Sequence, residues 1–199
     1  MKELINGGKG EGGCKMAGVK FPQCAALTFS AMLLLAGCVT QKKYDAMEAR
    51  YQQLNQTMSA QVASHQMHIT RLQDAIKVTV NDELLFPSGD WRMPAEAQQT
   101  IGKIVPILAP MQQTKIMVNG YTDDVPIGPG LMRQGVTSNL ELSQRRADNV
   151  MQFLISQGVS PGLVSAQGLG DAAPVAPNGT PEGRAQNRRV ELTLAGSGN

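Results

Sequence analysis

The fold is decided by residues 138–154, which read SNLELSQRRADNVMQFL. Ser138 and Glu141 have the spacing of a capping box, which predicts a helix over about Asn139–Gln157, ending at Gly158. At about 100° per residue, several apolar side chains fall on one stripe of this helix, and such a stripe packs on a core. The members of this predicted core face are Leu140, Ala147, Met151 and Leu154.

Two adjacent arginines in this helix have different surroundings in the same projection. Arg146 lies with Asn139 and Ser143 at the margin of the apolar stripe, whereas Arg145 points away from it into solvent. An arginine at such a margin serves either in a structural ion pair or as a clamp for an anionic ligand. The residues alone leave both roles open.

Short apolar runs on either side of this helix predict a sheet. The predicted strands are Lys77–Val80, Lys115–Tyr121, Leu163–Gln167 and Arg189–Leu194, with a short extended stretch at Leu84–Phe86. An earlier helix is predicted from Pro94 to about Leu108, with its last turn kinked or ended by Pro106. The fold class is therefore an α/β (α+β) sandwich, with two helices packed on one side of a small mixed β-sheet. This predicted domain spans 77–195, and 196–199 are expected to form a disordered tail.

A long loop joins the strand at Lys115–Tyr121 to the capped helix. It runs from Asp123 to Thr137, is rich in Gly and Pro, and exceeds the usual length of a connection. Long loops often serve binding, and this one places Asp123 at the C-terminal end of a strand. By chemistry alone, an aspartate at such a position is more often a turn former than a ligand.

The N-terminal 37 residues have the features of a signal peptide. A lysine-bearing flank precedes an apolar run at Ala25–Ala36, which is shorter than the roughly 20 residues that span a bilayer. Leu35-Ala36-Gly37-Cys38 resembles the lipobox of bacterial lipoproteins, which implies cleavage before Cys38 and lipid on its thiol. The alternative is an uncleaved anchor helix. Val39 resembles the sorting pattern of outer-membrane lipoproteins, so the expected location is the outer membrane, lipid-anchored and facing the periplasm.

Removal of residues 1–37 also changes the charge of the chain. It takes four lysines from 18 basic residues and two glutamates from 16 acidic ones, which leaves 14 of each. A neutral chain without a basic patch argues against a nucleic-acid partner. Cys38 is then the one cysteine left, so no disulfide is expected, and Gly168-Leu169-Gly170 lacks the rest of any phosphate-binding motif. We expect no cofactor.

Residues 44–76 contain neither Pro nor Gly and have mostly apolar side chains at spacings of three and four, with one stutter of two fours at 54, 58 and 62. This spacing predicts one helix of roughly 50 Å, whose seam starts at Tyr44 and continues to Ile76. Residues 38–76 are thus interpreted as a lipid-anchored helical stalk that forms a coiled-coil homo-oligomer, or else as an amphipathic helix folded back on the domain. His65 and His68 share a predicted helix face but lack further ligands, so no metal site is expected.

Four motifs follow one another in the C-terminal part of the chain: Gly120-Tyr121-Thr122-Asp123, Asn139-x-x-Leu142-Ser143-x-x-Arg146-Ala147, Gly168-x-Gly170 and Arg184-x-x-Asn187-Arg188-Arg189-Val190. Their order and content resemble the OmpA-like peptidoglycan-binding domain. The long loop is similar to that of the flagellar stator B subunit. The resemblance implies binding of the diaminopimelate of the peptidoglycan stem peptide. Asp123 would receive its ammonium and Arg146 would clamp its carboxylate, while Asn139, Thr122 and Arg188 would contribute to the pocket.

The resemblance implies a non-catalytic protein that tethers the outer membrane to the cell wall. The alternative is a wall-anchoring subunit of a larger envelope machine, such as a stator, a secretion system or an efflux assembly. An enzyme would need a catalytic set, and both histidines lie outside the predicted domain. Asp123 with Glu141 could form a carboxylate pair, but Glu141 sits in an outward capping position, so we expect no enzyme activity.

Overall fold

The computed structural model describes residues 25–111 and 113–196, and side chains from residue 41 to residue 195 apart from residue 112. The chain divides into two units after Lys42. The predicted signal peptide 1–37 falls largely outside the described residues, as does the tail after Gly196. Cys38 lies within a described helix, but its side chain is outside the described set.

A five-stranded mixed sheet is the centre of the second unit. Its strands are β1 (Met67–Arg71), β2 (Ala75–Asn81), β3 (Thr114–Gly120), β4 (Val164–Gly168) and β5 (Arg189–Gly196). Their order is β1-β2-β5-β3-β4, with β3 and β4 parallel and the other neighbours antiparallel. The predicted mixed sheet and the four predicted strands are confirmed.

The helices are α1 (Ala25–Thr57), α2 (Ser59–Ala63), α3 (Asp82–Leu85), α4 (Ala95–Gly102), α5 (Val105–Leu108), α6 (Pro129–Arg133), α7 (Asn139–Ser156) and α8 (Pro181–Asn187). Alternate side chains of the central strand β5 are buried at Val190, Leu192 and Leu194. They join a single large core with buried residues of α4, α5 and α7. Helices and sheet thus form the expected α/β sandwich.

Helix α7 packs directly on the ends of β3 and β4. A Cβ atom on Gly120 would lie 2.3 Å from the carbonyl oxygen of Ser143, and one on Gly168 would lie 2.3 Å from the backbone nitrogen of Gln144. The Gly168 N–H donates to Gln144 Oε1 at 2.7 Å, and the Gly170 N–H donates to Ser143 Oγ at 2.9 Å. This close approach fixes the position of α7, and with it Asn139 and Arg146, against the end of β3.

The prediction of one helix from Tyr44 to Ile76 is wrong. Helix α1 ends at Thr57, α2 is one short turn, and residues 67–81 form the β1–β2 hairpin. In the hairpin, buried apolar side chains alternate with more exposed polar ones, as expected of strands with one face on the core. The hairpin is part of the sheet because β2 also pairs with β5. Pairing with a distant strand therefore overrides a spacing that also fits a helix.

The seam positions Leu54 and Met58 are fully buried in the domain core. They are therefore not available to a partner helix, and residues 43–63 follow the folded-back alternative rather than an extended stalk. His65 lies in a turn with φ of 58°, and His68 is an exposed strand residue. Their predicted common helix face does not exist. In the described part of the chain, no group of three His, Cys, Asp or Glu side chains is placed to hold a metal ion.

Three smaller predictions also need correction. Leu140 is 59% exposed, and the buried face of α7 contains Leu142 and Val150 instead. The helix predicted from Pro94 to Leu108 is split into α4 and α5, because Pro106 lacks an N–H and is accommodated in the first turn of a new helix. The stretch predicted as extended at Leu84–Phe86 belongs mostly to α3.

Within residues 25–111 and 113–196, no helix combines the length and the apolar content that crossing a bilayer requires.

Candidate functional site

A cleft of about 690 Å³ opens where α3, the end of β3, the start of α7 and the end of α8 meet. Its walls include the turn after α3 and the first part of the long loop. All five side chains that the sequence nominated for a ligand line it, namely Thr122, Asp123, Asn139, Arg146 and Arg188. Residues distant in the chain are thus brought to one place.

Asp123 closes a local turn and also forms an ion pair at the cleft wall. The Val125 N–H donates to its Oδ1 at 3.2 Å, which closes a local turn, and the Nη1 of Arg188 donates to its Oδ2 at 2.9 Å. The residue is only 8% exposed. The strand end before it is held in place because the Thr122 N–H donates to the carbonyl of Gly170 at 2.8 Å. Its carboxylate is therefore a fixed negative group at the cleft wall.

Arg146 is fixed more firmly, with an exposure of 5%. Its Nη1 lies 2.8 Å from Asp82 Oδ2, and its Nε donates to the carbonyl of Asp90 at 3.2 Å. The guanidinium carbon lies 5.2 Å from the ring centroid of Phe86. Arg146 therefore forms a buried structural ion pair and at the same time lines the cleft.

Asp82, the partner of Arg146, was not among the residues that the sequence nominated. Asp82 follows directly on β2, and its N–H donates to the carbonyl of Arg188 at 3.1 Å, because β2 and β5 pair there. Its Oδ1 is buried without a hydrogen bond and lies 3.5 Å from Arg188 Nε. The acidic pair that it forms with Glu83 at the end of a predicted strand is the one signal that could have pointed to it.

Burial shifts the pKa values of both members of this ion pair. It raises the pKa of Asp82, although the charges of Arg146 and Arg188 oppose the change. It also lowers the pKa of Arg146, with the charge of Asp82 acting against it. Each shift favours the neutral form, so the two charges depend on one another in a poorly hydrated place.

Arg188 contacts three carboxylates. Its Nη1 lies 2.9 Å from Asp123, its Nη2 lies 2.7 Å from Glu83, and its Nε lies 3.5 Å from Asp82. Burial lowers the pKa of Arg188, but hydrogen bonds to Asp123 and Glu83 outweigh this effect and raise it. With 28% of its side chain exposed, Arg188 is the more accessible of the two guanidinium groups.

Asn139 and Thr122 shape the cleft in different ways. The Nδ2 of Asn139 donates to the carbonyls of Asp123 and Val125, each at 3.1 Å, and so ties the start of α7 to the long loop. The Oγ1 of Thr122 is buried and has no hydrogen-bond partner. A buried hydroxyl without a partner is unusual in a folded protein, and this one belongs to a residue that lines the cleft.

The long loop is a packed structure. Ile127, Leu131, Val136 and Leu142 form a small cluster of their own, against which Trp91 packs. Arg145 was expected in solvent, but its guanidinium lies 4.8 Å from the Trp91 ring centroid and 2.7 Å from Glu141. Glu141 also accepts from the Thr137 N–H at 2.9 Å and is not among the residues that line the cleft. The considered carboxylate pair of Asp123 and Glu141 is therefore not formed across it.

The three consecutive residues Asn187, Arg188 and Arg189 have different surroundings. Asn187 is fully buried, and its Nδ2 donates to the carbonyl of Ala176 at 2.8 Å, which holds the preceding loop to α8. Arg189 lies 2.8 Å from Glu191 and stacks over Tyr121, with 3.7 Å to the ring centroid. Of Asn187, Arg188 and Arg189, only Arg188 lines the cleft.

This fold and this cleft belong to a chain that is similar to known bacterial proteins. Residues 85–188 match the model of the OmpA family, and the chain belongs to this family. Over 127 residues it is 38% identical to the Escherichia coli (strain K12) protein named "Probable lipoprotein YiaD", covering 64% of this chain and 54% of that one. It is 33% identical over 124 residues to the peptidoglycan-binding protein ArfA of Mycobacterium tuberculosis, covering 62% of this chain and 35% of that one.

Among solved structures, a MotB-like protein from Desulfovibrio vulgaris superposes with a TM-score of 0.70 at 25% identity, covering 81% of this chain and 98% of that chain. The resemblances to the OmpA-like domain and to the stator B subunit are thus confirmed. The chain matches only about half, or less, of the length of the two curated relatives.

Proposed function

We propose that this protein binds peptidoglycan without catalysing a reaction, and that its cleft grips the diaminopimelate of the stem peptide. The observation that carries the proposal is that one cleft presents opposite charges, because both Asp123 and Arg146 line it. Family membership and the relative named as peptidoglycan-binding support the same conclusion.

The chemistry of the ligand fits the charges of the cleft. The free end of diaminopimelate carries an ammonium and a carboxylate on one carbon, so its net charge is close to zero. The cleft is lined by three carboxylates and three guanidiniums, contributed by Asp82, Glu83, Asp123, Arg146, Arg184 and Arg188. In this proposal Asp123 receives the ammonium, Arg146 pairs with the carboxylate, and the unpartnered hydroxyl of Thr122 bonds to the ligand. Asn139 keeps the loop in place around it, and Arg188 contributes to the cleft wall beside Asp123.

The proposal includes a lipid anchor. Cleavage before Cys38 and acylation of its thiol would hold the chain in the outer membrane with the cleft in the periplasm, as the lipobox-like Leu35-Ala36-Gly37-Cys38 suggests. The relative named as a lipoprotein supports this part. A membrane anchor at one end and a wall-binding domain at the other make the protein a tether. Metabolic labelling with a fatty acid should mark the wild-type protein and not a Cys38→Ala variant.

The binding function is tested by retention on purified sacculi. Asp123→Ala and Arg146→Ala should each weaken retention about ten- to hundredfold, because a hydrogen bond to a charged group contributes roughly 1.5–3 kcal/mol. Arg145→Ala is the matched control, since it removes the same charge one residue away and outside the cleft. Undiminished retention of both cleft variants would remove the basis of the proposal. Release of soluble muropeptides by the wild-type protein would instead point to an enzyme.

A second candidate is a wall-anchoring subunit of a larger envelope machine. The similarity to a MotB-like structure over 81% of this chain favours it. Crosslinking in intact cells followed by purification separates the two candidates. A stoichiometric protein partner supports the machine, and recovery of the protein without one supports the free tether.

A further inference from the structure

We infer, on the basis of the proposed function, that Arg188 occupies the place of the ligand's ammonium in the free protein. In this view its guanidinium is an internal cation that the ligand must displace from Asp123. Arg188 then determines specificity, because only a ligand that brings its own positive charge can take over the Asp123 carboxylate.

The contacts of Asp123 define this competition. Its Oδ1 already accepts from the Val125 N–H at 3.2 Å, and its Oδ2 accepts from Arg188 Nη1 at 2.9 Å. The carboxylate is 8% exposed, so little of it is left for solvent. An ammonium that approaches Asp123 from the cleft therefore meets a carboxylate whose charge is already paired with a guanidinium.

The release of Arg188 does not leave it without counter-charges. Its Nη2 is held by Glu83 at 2.7 Å and its Nε lies 3.5 Å from Asp82, and neither contact involves Asp123. The side chain of Glu83 is 71% exposed and lies at the rim, where a guanidinium keeps contact with water. The backbone of Arg188 stays in place, since its carbonyl accepts from the Asp82 N–H. Only the side chain has to move.

Arg146 differs from Arg188 in each of these respects. It is 5% exposed, and both Asp82 and the Asp90 carbonyl hold it. The cleft thus contains one fixed cation suited to the ligand's carboxylate and one movable cation beside the carboxylate that receives the ammonium. A ligand whose amine is acylated brings no charge to Asp123, and removal of Arg188 from Asp123 would then leave a poorly hydrated carboxylate unpaired.

The test is isothermal titration calorimetry of the full chain with meso-diaminopimelic acid and with its N,N′-diacetyl derivative. Arg188→Ala should bind the free acid about tenfold more tightly, because loss of one charge-assisted contact in the free protein removes the competition. The diacetyl derivative should gain nothing. The same variant should melt at a lower temperature without ligand, since Asp123 then lacks its partner.

Arg184→Ala is the matched control. It removes an equal charge from the same cleft, but Arg184 Nη1 donates to the carbonyl of Asn178 rather than to Asp123. Its affinity for diaminopimelic acid should change less than about threefold, within the small range of a rim charge. Arg188→Gln is a second, milder variant and should show the same direction as Arg188→Ala. Circular dichroism checks that each variant is folded.

The outcomes separate this inference from the function on which it rests. Weaker or unchanged binding of diaminopimelic acid by both Arg188 variants, while the wild type binds, overturns the internal-cation role and leaves peptidoglycan binding intact. An equal gain in Arg184→Ala overturns it as well, because the effect would then be one of net charge. Absence of wild-type binding, together with unaffected sacculus retention of Asp123→Ala, overturns both.

Discussion

Replacement of Asp82 by alanine would leave Arg146 buried without the carboxylate that lies 2.8 Å from its Nη1. Breaking a buried ion pair by removing one partner typically costs about 3–5 kcal/mol, because the remaining charge is desolvated and uncompensated. Both side chains of this pair are at most 6% exposed, so the buried case applies. For a unit of this size, about 1 kcal/mol changes the melting temperature by roughly 2–4 °C, so a fall of about 10 °C is expected.

The measurement is urea and thermal unfolding followed by circular dichroism. A double variant, Asp82→Leu with Arg146→Met, supplies the decisive comparison, because replacing both charges with apolar groups of similar volume is often close to neutral. It should recover most of the stability lost in Asp82→Ala, while sacculus retention stays weaker than in the wild type because Arg146 is missing. A loss below about 1 kcal/mol in the single variant, or no recovery in the double one, would refute the buried-pair reasoning.

Two further predictions concern the framework of the site. Hydrogen bonds from the Thr137 N–H and then from Arg145 lower the pKa of Glu141. Its carboxylate therefore stabilises the fold at pH values above its ordinary pKa of 4.5. This contribution is lost as the pH falls through the lower pKa of the folded state. The melting-temperature difference between wild type and Glu141→Gln should therefore be present at pH 7 and vanish in acid, and a difference independent of pH would contradict the assignment. Gly120→Ala should destabilise the domain by about 1–3 kcal/mol or more in urea unfolding, because its Cβ would lie 2.3 Å from the Ser143 carbonyl oxygen. Gly162→Ala, which meets nothing within 4 Å, should be close to neutral, and equal losses in both would argue against close packing of α7.

The elements predicted from the sequence are confirmed where a local pattern and the tertiary environment agree. The capping box at Ser138 placed the start of α7, and in the structure the Glu141 N–H donates to Ser138 Oγ at 3.1 Å. The alternation of Val190, Leu192 and Leu194 likewise placed β5 with the correct face inward. In each case a short-range signal is sufficient, because the element's own residues determine its type and its buried side.

The predicted helix from Tyr44 to Ile76 is wrong because its last part fits two periodicities, one helical and one extended. Ile69 and Ile76 fit a helical seam, and they equally fit alternate positions of two paired strands. The strand conformation of β2 is stabilised by its pairing with β5, which lies more than a hundred residues later in the chain. A contact at that sequence distance leaves no trace in the local pattern of residues 67–76.

Local patterns in the amino-acid sequence are enough to predict the α/β class, the strands β2 to β5, the helix that bears Arg146 and five side chains that line the cleft. The ion pairs among the charged side chains of the cleft depend on the three-dimensional arrangement of the elements. Asp82 comes close to Arg188 because β2 and β5 are adjacent, and Arg188 pairs with Asp123 because β5 also lies beside β3. Asp82 meets Arg146 through α7, which packs on the end of β3. Helical and strand periodicity report which side of an element is buried, whereas the partner of a charged side chain depends on which distant elements the sheet brings together.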